Sequence, residues 1–318
     1  ARVMTEARNT LRELGTPRIA IIGAGPGGLC MAIRLKQSGF HDISIIEKGE
    51  GVGGTWYHNQ YPGCACDIPS HLYSFSFEVN RNWSRPYSPQ PEIRAYFEHC
   101  AEKYDLLQHC RFGSGVQSAA WDEAQASWTL VLESGDRVEA DVVVGAVGMF
   151  NDIVNPDIPG LDSFEGTVFH SARWNWDRDL SGETVGVIGS AASAVQFVPQ
   201  IVKTAGQVHL YQRSANWVLP KEDVPFTEEE LEYFRTEPGA VEAVRDEIFQ
   251  SVDGGMTFSD PAALAEMEES GLGALEVVQD EDVRKKLTPE HPFGCKRPLV
   301  SNDYYQAFNL PNLELVTE

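Results

Sequence analysis

Arg18-Ile-Ala-Ile-Ile22-Gly23-Ala-Gly25-Pro-Gly-Gly28 is the stretch that decides the fold. The short apolar run reads as a buried parallel strand. It enters a glycine-rich turn, and Leu29 to Gln37 reads as a helix ending near Gly39. A second strand, Ile43 to Ile46, ends in Glu47, 19 positions after Gly28. That is close to the roughly 20 expected for a carboxylate that accepts ribose hydroxyls. Gly23 permits the tight turn, Gly25 lets backbone approach a pyrophosphate, and Gly28 allows helix and sheet to pack closely. The helix N-terminus offers free N–H groups and a positive dipole end to the phosphates. The whole unit predicts a dinucleotide site.

A second copy follows. Glu183 to Ile188 reads as a strand, and Gly189-Ser190-Ala191-Ala-Ser193-Ala194 opens a helix through Val202. Val208 to Arg213 reads as the next strand. Two changes matter. Arg213 stands where the first copy has Glu47. A carboxylate accepts from a ribose diol and repels a 2′-phosphate, whereas a guanidinium binds that phosphate bidentately. The second site therefore suits NADP(H) over NAD(H), with Gln212 and Ser214 placed to add hydrogen bonds. Ala191 occupies the place of the second glycine. Its methyl group predicts weaker or slightly displaced binding of NADP(H) at Gly189, Ser190 and Ser193.

The bulk properties set limits. The chain has 318 residues, enough for two domains, and a formal net charge of −22. That charge argues against nucleic acid or an anionic membrane as partner. Twenty acidic and five basic residues fall between Glu222 and Glu290, a stretch with helix-like segments such as Glu228 to Arg235 and Ala240 to Gln250. It reads as an acidic helical insertion at about 222–290. No apolar run approaches the roughly 20 residues that span a bilayer. Ala1 to Leu14 reads as a surface helix and not as a secretory signal, so the protein reads as cytoplasmic. The six cysteines then read as free thiols. No Cys/His pair at zinc-like spacing accompanies Cys64 and Cys66, and no metal site is predicted.

Between the two copies lies Phe164-x-Gly166-x-x-x-His170-x-x-x-Trp174. After Glu47 come Gly53-Gly54-Thr55-Trp56 and a Tyr61-Pro-Gly…Asp67…Ser70…Tyr73 pattern. Near the end comes Phe293-Gly-Cys-Lys296-Arg297-Pro298. In this order the motifs resemble the Baeyer–Villiger flavin monooxygenases, a group that oxidises cyclic and aromatic ketones. The string from Phe164 to Trp174 resembles that family's fingerprint. Asn175 stands where the family has Pro or Asp, which predicts a different bend in the linker. Val147 replaces the family's Thr in the run Ala140 to Gly148 that closes the first domain.

The resemblance implies an α/β fold of two Rossmann-like domains. These are an FAD-binding part at 1–155 and an NADP-binding domain at 156–318 that carries the helical insertion. It implies that Gly54, Thr55, Trp56, Asp67, Tyr73 and Val116 join Gly23, Gly25, Gly28 and Glu47 around FAD. It implies that Lys296 reaches the 2′-phosphate, that Arg297 is the catalytic arginine, and that Asp67 orients it. His170 and Trp174 are read as coupling domain movement to cofactor position.

The implied reaction is NADPH-dependent. A flavin peroxide formed with molecular oxygen attacks a ketone, inserting one oxygen atom to give an ester or lactone. A related flavin monooxygenase acting on nitrogen or sulfur is the alternative, disfavoured by Trp174. The family continues beyond a strand like Asn312 to Thr317 into a C-terminal segment that returns to the flavin domain. Its lack here predicts a shortened chain, or a non-catalytic nucleotide-binding remnant if the protein stops at Glu318. Neither the ketone nor the oligomeric state is written in these motifs.

Overall fold

A computed structural model describes residues 16–256 and 260–317. The proposed N-terminal surface helix, Ala1 to Leu14, lies outside them, as does Glu318. The chain divides into two compact units. One comprises the chain up to Asn59 with Pro91–Gly166, and the other Gln60–Gln90 with the chain from Thr167 onward.

The first unit is built on a four-stranded sheet. Its strands are Ile19–Ile22, Ile43–Ile46, Cys110–Arg111 and Val142–Gly145. All pairings are parallel, and Ile19–Ile22 lies centrally between Ile43–Ile46 and Val142–Gly145. Side chains alternate across the central strand. Ala20, with Ile22 beside it, packs against Leu130, Leu132 and Ala140. These belong to a three-stranded antiparallel sheet of Val116–Asp122, Ser127–Leu132 and Arg137–Ala140. Helix Pro26–Gln37 buries Leu29, Ala32 and Ile33 and touches the strands Ile19–Ile22 and Ile43–Ile46. Pro26 begins that helix, where its missing N–H costs nothing. The run Ala140 to Gly148 divides at Asp141, whose carboxylate accepts from the Arg18 amide and guanidinium. The antiparallel strand thus ends at Ala140 and the parallel strand starts at Val142.

The second unit carries a three-stranded parallel sheet. Gln207–Tyr211 lies between Thr184–Ile188 and Leu313–Val316. Helix Ala192–Ile201 follows the first of these and buries Val195, Phe197 and Val198. Four helices fill the acidic stretch: Glu228–Thr236, Ala240–Met256, Pro261–Leu275 and Glu281–Leu287. The first has a full capping box, in which Thr227 and Glu230 satisfy each other's backbone N–H groups. Asp260 and Asp280 cap the third and fourth. These caps explain why so acidic a stretch still forms defined helices. Carboxylates in a first turn also meet the favourable end of the dipole.

Candidate nucleotide and catalytic sites

In the first unit the glycines divide their work. Gly23 has φ +106, and a Cβ there would meet the Ala146 carbonyl oxygen at 2.4 Å. A Cβ on Gly28 would sit 1.9 Å from the Gly23 carbonyl oxygen. A Cβ on Gly25 would meet only the Gly54 backbone, at ordinary distances of 3.5 Å to Cα and 3.9 Å to N. Two glycines therefore make the turn possible, while Gly25 leaves room at the helix mouth.

These contacts separate two outcomes. Gly28→Ala forces backbone to move and is expected to cost at least the roughly 3 kcal/mol of severe overpacking. Gly25→Ala is expected to fold with an unchanged urea midpoint and yet lose FAD retention. Both are read from a urea titration beside the flavin absorbance of the purified protein. Equal midpoints for the two variants would contradict the assignment.

Glu47 is 4% exposed. Its carboxylate accepts from the Ala24 N–H at 2.7 Å and from the Gly49 N–H at 2.7 Å. It stitches the glycine turn to the strand end and still has lone pairs for a ribose hydroxyl. Gly54, at φ +55, caps the short helix Thr55–His58, in which Trp56 is buried. Val116 opens the first antiparallel strand.

In the second unit Gly189 takes φ +100 and its surroundings are open. Ala191 caps helix Ala192–Ile201 in an extended conformation, φ −85. It needs no glycine there, so the turn forms despite the substitution. Its exposed methyl group still stands at the helix mouth. Ala191→Gly is accordingly expected to lower the NADPH dissociation constant about threefold or more, measured by titration calorimetry, with fold stability little changed.

Ser190 is buried, with its carbonyl held by the Asn216 amide at 3.0 Å. Arg213 and Ser214 are exposed at the end of strand Gln207–Tyr211. Lys296 Nζ donates to Ser214 Oγ at 3.3 Å. Lys296 and Ser214 thus meet, and Arg213 is exposed one position before Ser214. Gln212 does not join them: it is buried, and its side-chain amide donates to the Lys286 carbonyl at 2.9 Å.

The adjacent Arg297 Nη2 donates to Asp67 Oδ2 in a close ion pair. Arg297 is 59% exposed and Asp67 25%, so the guanidinium is tethered and still reachable. Tyr73 lies in a turn, its N–H donating to the Pro69 carbonyl at 3.1 Å. Arg245 braces the same turn by donating to the His71 and Leu72 carbonyls at 3.0 and 2.8 Å.

Burial pushes the Cys64 thiol up to about 11 and the Cys66 thiol up to about 12. Both stay protonated at neutral pH, which suits packing and not dithiol exchange.

The string from Phe164 to Trp174 crosses the division between the units, which falls after Gly166. A Cβ on Gly166 would meet the Phe164 ring at 2.4 Å, so a larger residue there would have to turn that exposed ring aside. His170 Nδ1 accepts from the Ala172 N–H at 3.1 Å and caps a short turn. Nε2 then carries the proton in the neutral ring. Trp174 packs edge-on against Phe169, with centroids 5.2 Å apart, and at a tilt against Phe197 of helix Ala192–Ile201, also at 5.2 Å. Asn175 Oδ1 accepts from the Asp177 N–H at 3.1 Å. That side-chain turn follows Trp174 directly.

Two strand–glycine–helix units, a buried Glu47 and an exposed Arg213 are now in place beside known proteins. A family model described as pyridine nucleotide-disulphide oxidoreductase matches residues 20–254. The chain belongs to that family. Within it, the chain is a member of the Baeyer–Villiger flavin monooxygenase group.

A Baeyer-Villiger monooxygenase of Pseudomonas aeruginosa is 43% identical over 95% of this chain and 58% of its own length. An oxidized steroid monooxygenase bound to NADP matches with TM-score 0.80 and 34% identity, over 95% of this chain and 66% of that one. OTEMO in complex with FAD and NADP matches with TM-score 0.81 and 29% identity, over 95% and 66%. The chain thus spans about three fifths of the length of the curated relative it matches. Among the described residues, no helix is long and apolar enough to cross a membrane.

Proposed function

We propose that this chain carries the FAD and NADP(H) sites of a monooxygenase that takes a ketone to an ester or lactone. The observation that carries the reading is the loop with Lys296 and Arg297. Its two adjacent cations turn to different partners, Lys296 to Ser214 and Arg297 to Asp67.

The residues present fit the cofactors. The mouth beside Gly25 has space that a side chain would fill, and Glu47 is fixed at the strand end. Arg213, Ser214 and Lys296 offer a charged fork, a hydroxyl and an ammonium to a 2′-phosphate. FAD, reduced by NADPH, would supply the activation of molecular oxygen. The chain's own part is to hold the nucleotides and to place a permanent positive charge where negative charge gathers on the attacked carbonyl oxygen. Arg297 is suited to this because its guanidinium stays charged and Asp67 restricts its directions. Asp67 is the positioning partner, and His170 and Trp174 follow the division between the units, Trp174 against helix Ala192–Ile201.

The test is a product survey of the full-length, FAD-loaded enzyme with NADPH and parallel panels of ketones and sulfides. Esters or lactones from the ketones support the reading. Sulfoxides without any ester would replace it by heteroatom oxygenation.

A further inference from the structure

Gln196 lies mid-way along helix Ala192–Ile201, whose sequence is otherwise dominated by apolar residues. Its side chain is half-buried, and the amide is taken up by the 61–65 segment. Nε2 donates to the Ala65 carbonyl at 3.0 Å, and Oε1 accepts from the Ala65 N–H at 3.4 Å. The same Oε1 accepts from the Tyr61 hydroxyl at 2.9 Å. One side chain thus satisfies both backbone groups of Ala65, as a neighbouring strand would.

On its other side the segment is held by backbone. The Cys66 N–H donates to the Ser88 carbonyl at 3.0 Å, and the Gln90 N–H donates to the Cys64 carbonyl at 2.8 Å. The turn that brings Ala65 to the helix needs a glycine. Gly63 takes φ +76, and a Cβ there would lie 2.8 Å from the Gln196 carbonyl oxygen. Burial raises the Tyr61 hydroxyl well above its ordinary range, so it remains a proton donor to Gln196.

Two residues beyond Ala65 stands Asp67, which binds Arg297. The helix that carries Gln196 begins at Ala191, the mouth of the second nucleotide site. A continuous series of bonds therefore runs from that helix through Gln196 and Ala65 to Asp67 and Arg297.

We infer that Gln196 is a positioning residue: it registers the Asp67–Arg297 pair to the NADP(H)-binding helix. The inference rests on the monooxygenase reading above, because its consequence falls on what Arg297 does. When Ala65 loses its partner, Asp67 gains freedom and the guanidinium is no longer held in one place. Turnover then drifts toward the unproductive course, NADPH + H⁺ + O₂ → NADP⁺ + H₂O₂.

Gln196→Met keeps length and helix-forming character and removes all three bonds. Two measurements decide. In the protein without cofactors, hydrogen–deuterium exchange of the 61–67 segment is expected to accelerate at least tenfold. In the full-length, FAD-loaded enzyme, ketone oxygenation per NADPH consumed is expected to fall several-fold, with the peroxide yield rising to match. In an Asp67→Asn background the same substitution is expected to have no further effect on that ratio, since the two act in series. Tyr61→Phe, which removes one bond only, gives a smaller change of the same sign and serves if Gln196→Met does not fold.

Unchanged exchange in 61–67 would overturn the inference. So would a lower melting temperature with coupling intact, the mark of a merely structural residue. If the wild-type enzyme oxygenates no ketone, it is the functional reading that fails, and the exchange result still stands on its own.

Discussion

Arg297→Ala is expected to lower the ketone oxygenation rate of the full-length, FAD-loaded enzyme by about 10²- to 10³-fold, the loss that follows removal of one preorganised group from a developing oxyanion. The variant should still retain FAD and still accept hydride from NADPH at near the parental rate. The structure gives the reason for this split. Arg297 contacts Asp67, whereas the proposed phosphate-binding surface is built from Arg213, Ser214 and Lys296. Anaerobic reduction followed at the flavin absorbance, beside ester yield in air, separates the two steps. Ester formation at a similar rate in the variant would remove Arg297 from the chemistry. Arg297→Lys should recover only part of the activity, since a single ammonium keeps the charge but not the planar fork that Asp67 orients.

Arg213→Ala should raise the Michaelis constant for NADPH about 10- to 150-fold and leave that for NADH nearly unchanged. The range corresponds to loss of a charge-assisted bond worth about 1.5–3 kcal/mol. Arg213 ends a strand in the position Glu47 holds in the first unit, yet the two differ in more than sign. Glu47 is buried and bonded to two backbone N–H groups, whereas Arg213 is exposed beside Ser214. Substituting Arg213 should therefore affect ligand preference without disturbing the fold. Steady-state kinetics with both nucleotides measures this. An equal rise for both would mean that Arg213 does not distinguish the 2′-phosphate.

Much of this was legible in the sequence because it is local. Ile19 to Glu47 carries strand, turn, helix and carboxylate within a short span, and each has a stereochemical requirement that only certain residues meet. The second unit survived Ala191 because Gly189, at φ +100, carries the unusual backbone conformation while Ala191 is extended. Asp67 and Arg297 were paired only by resemblance, since 230 positions separate them and nothing in the chain announces the ion pair.

The antiparallel sheet from Val116 to Ala140 went unread. Its signals were present in the turns at Asp122 to Ala126 and at Gly135, where Ala126 and Gly135 adopt positive φ. The outer strand is almost wholly exposed, so alternation of apolar residues was weak there. Gln196 was invisible for a different reason. A glutamine in an apolar helix signals a hydrogen-bond partner, but two of its three bonds go to the Ala65 backbone, which leaves no mark on the sequence, and the third goes to Tyr61, 135 positions away. Gln212, assigned to the ligand by adjacency to Arg213, turns inward because alternate residues along a strand face opposite sides.

The central claim is oxygen insertion next to a ketone carbonyl. It is tested most directly by turning over the full-length, FAD-loaded enzyme with NADPH and a ketone under ¹⁸O₂ and weighing the product by mass spectrometry. The account predicts an ester or lactone carrying one ¹⁸O atom, formed one for one with NADPH oxidised. NADPH oxidised with the ketone recovered unchanged across the panel, or an oxygenated product whose added atom comes from water, would contradict it.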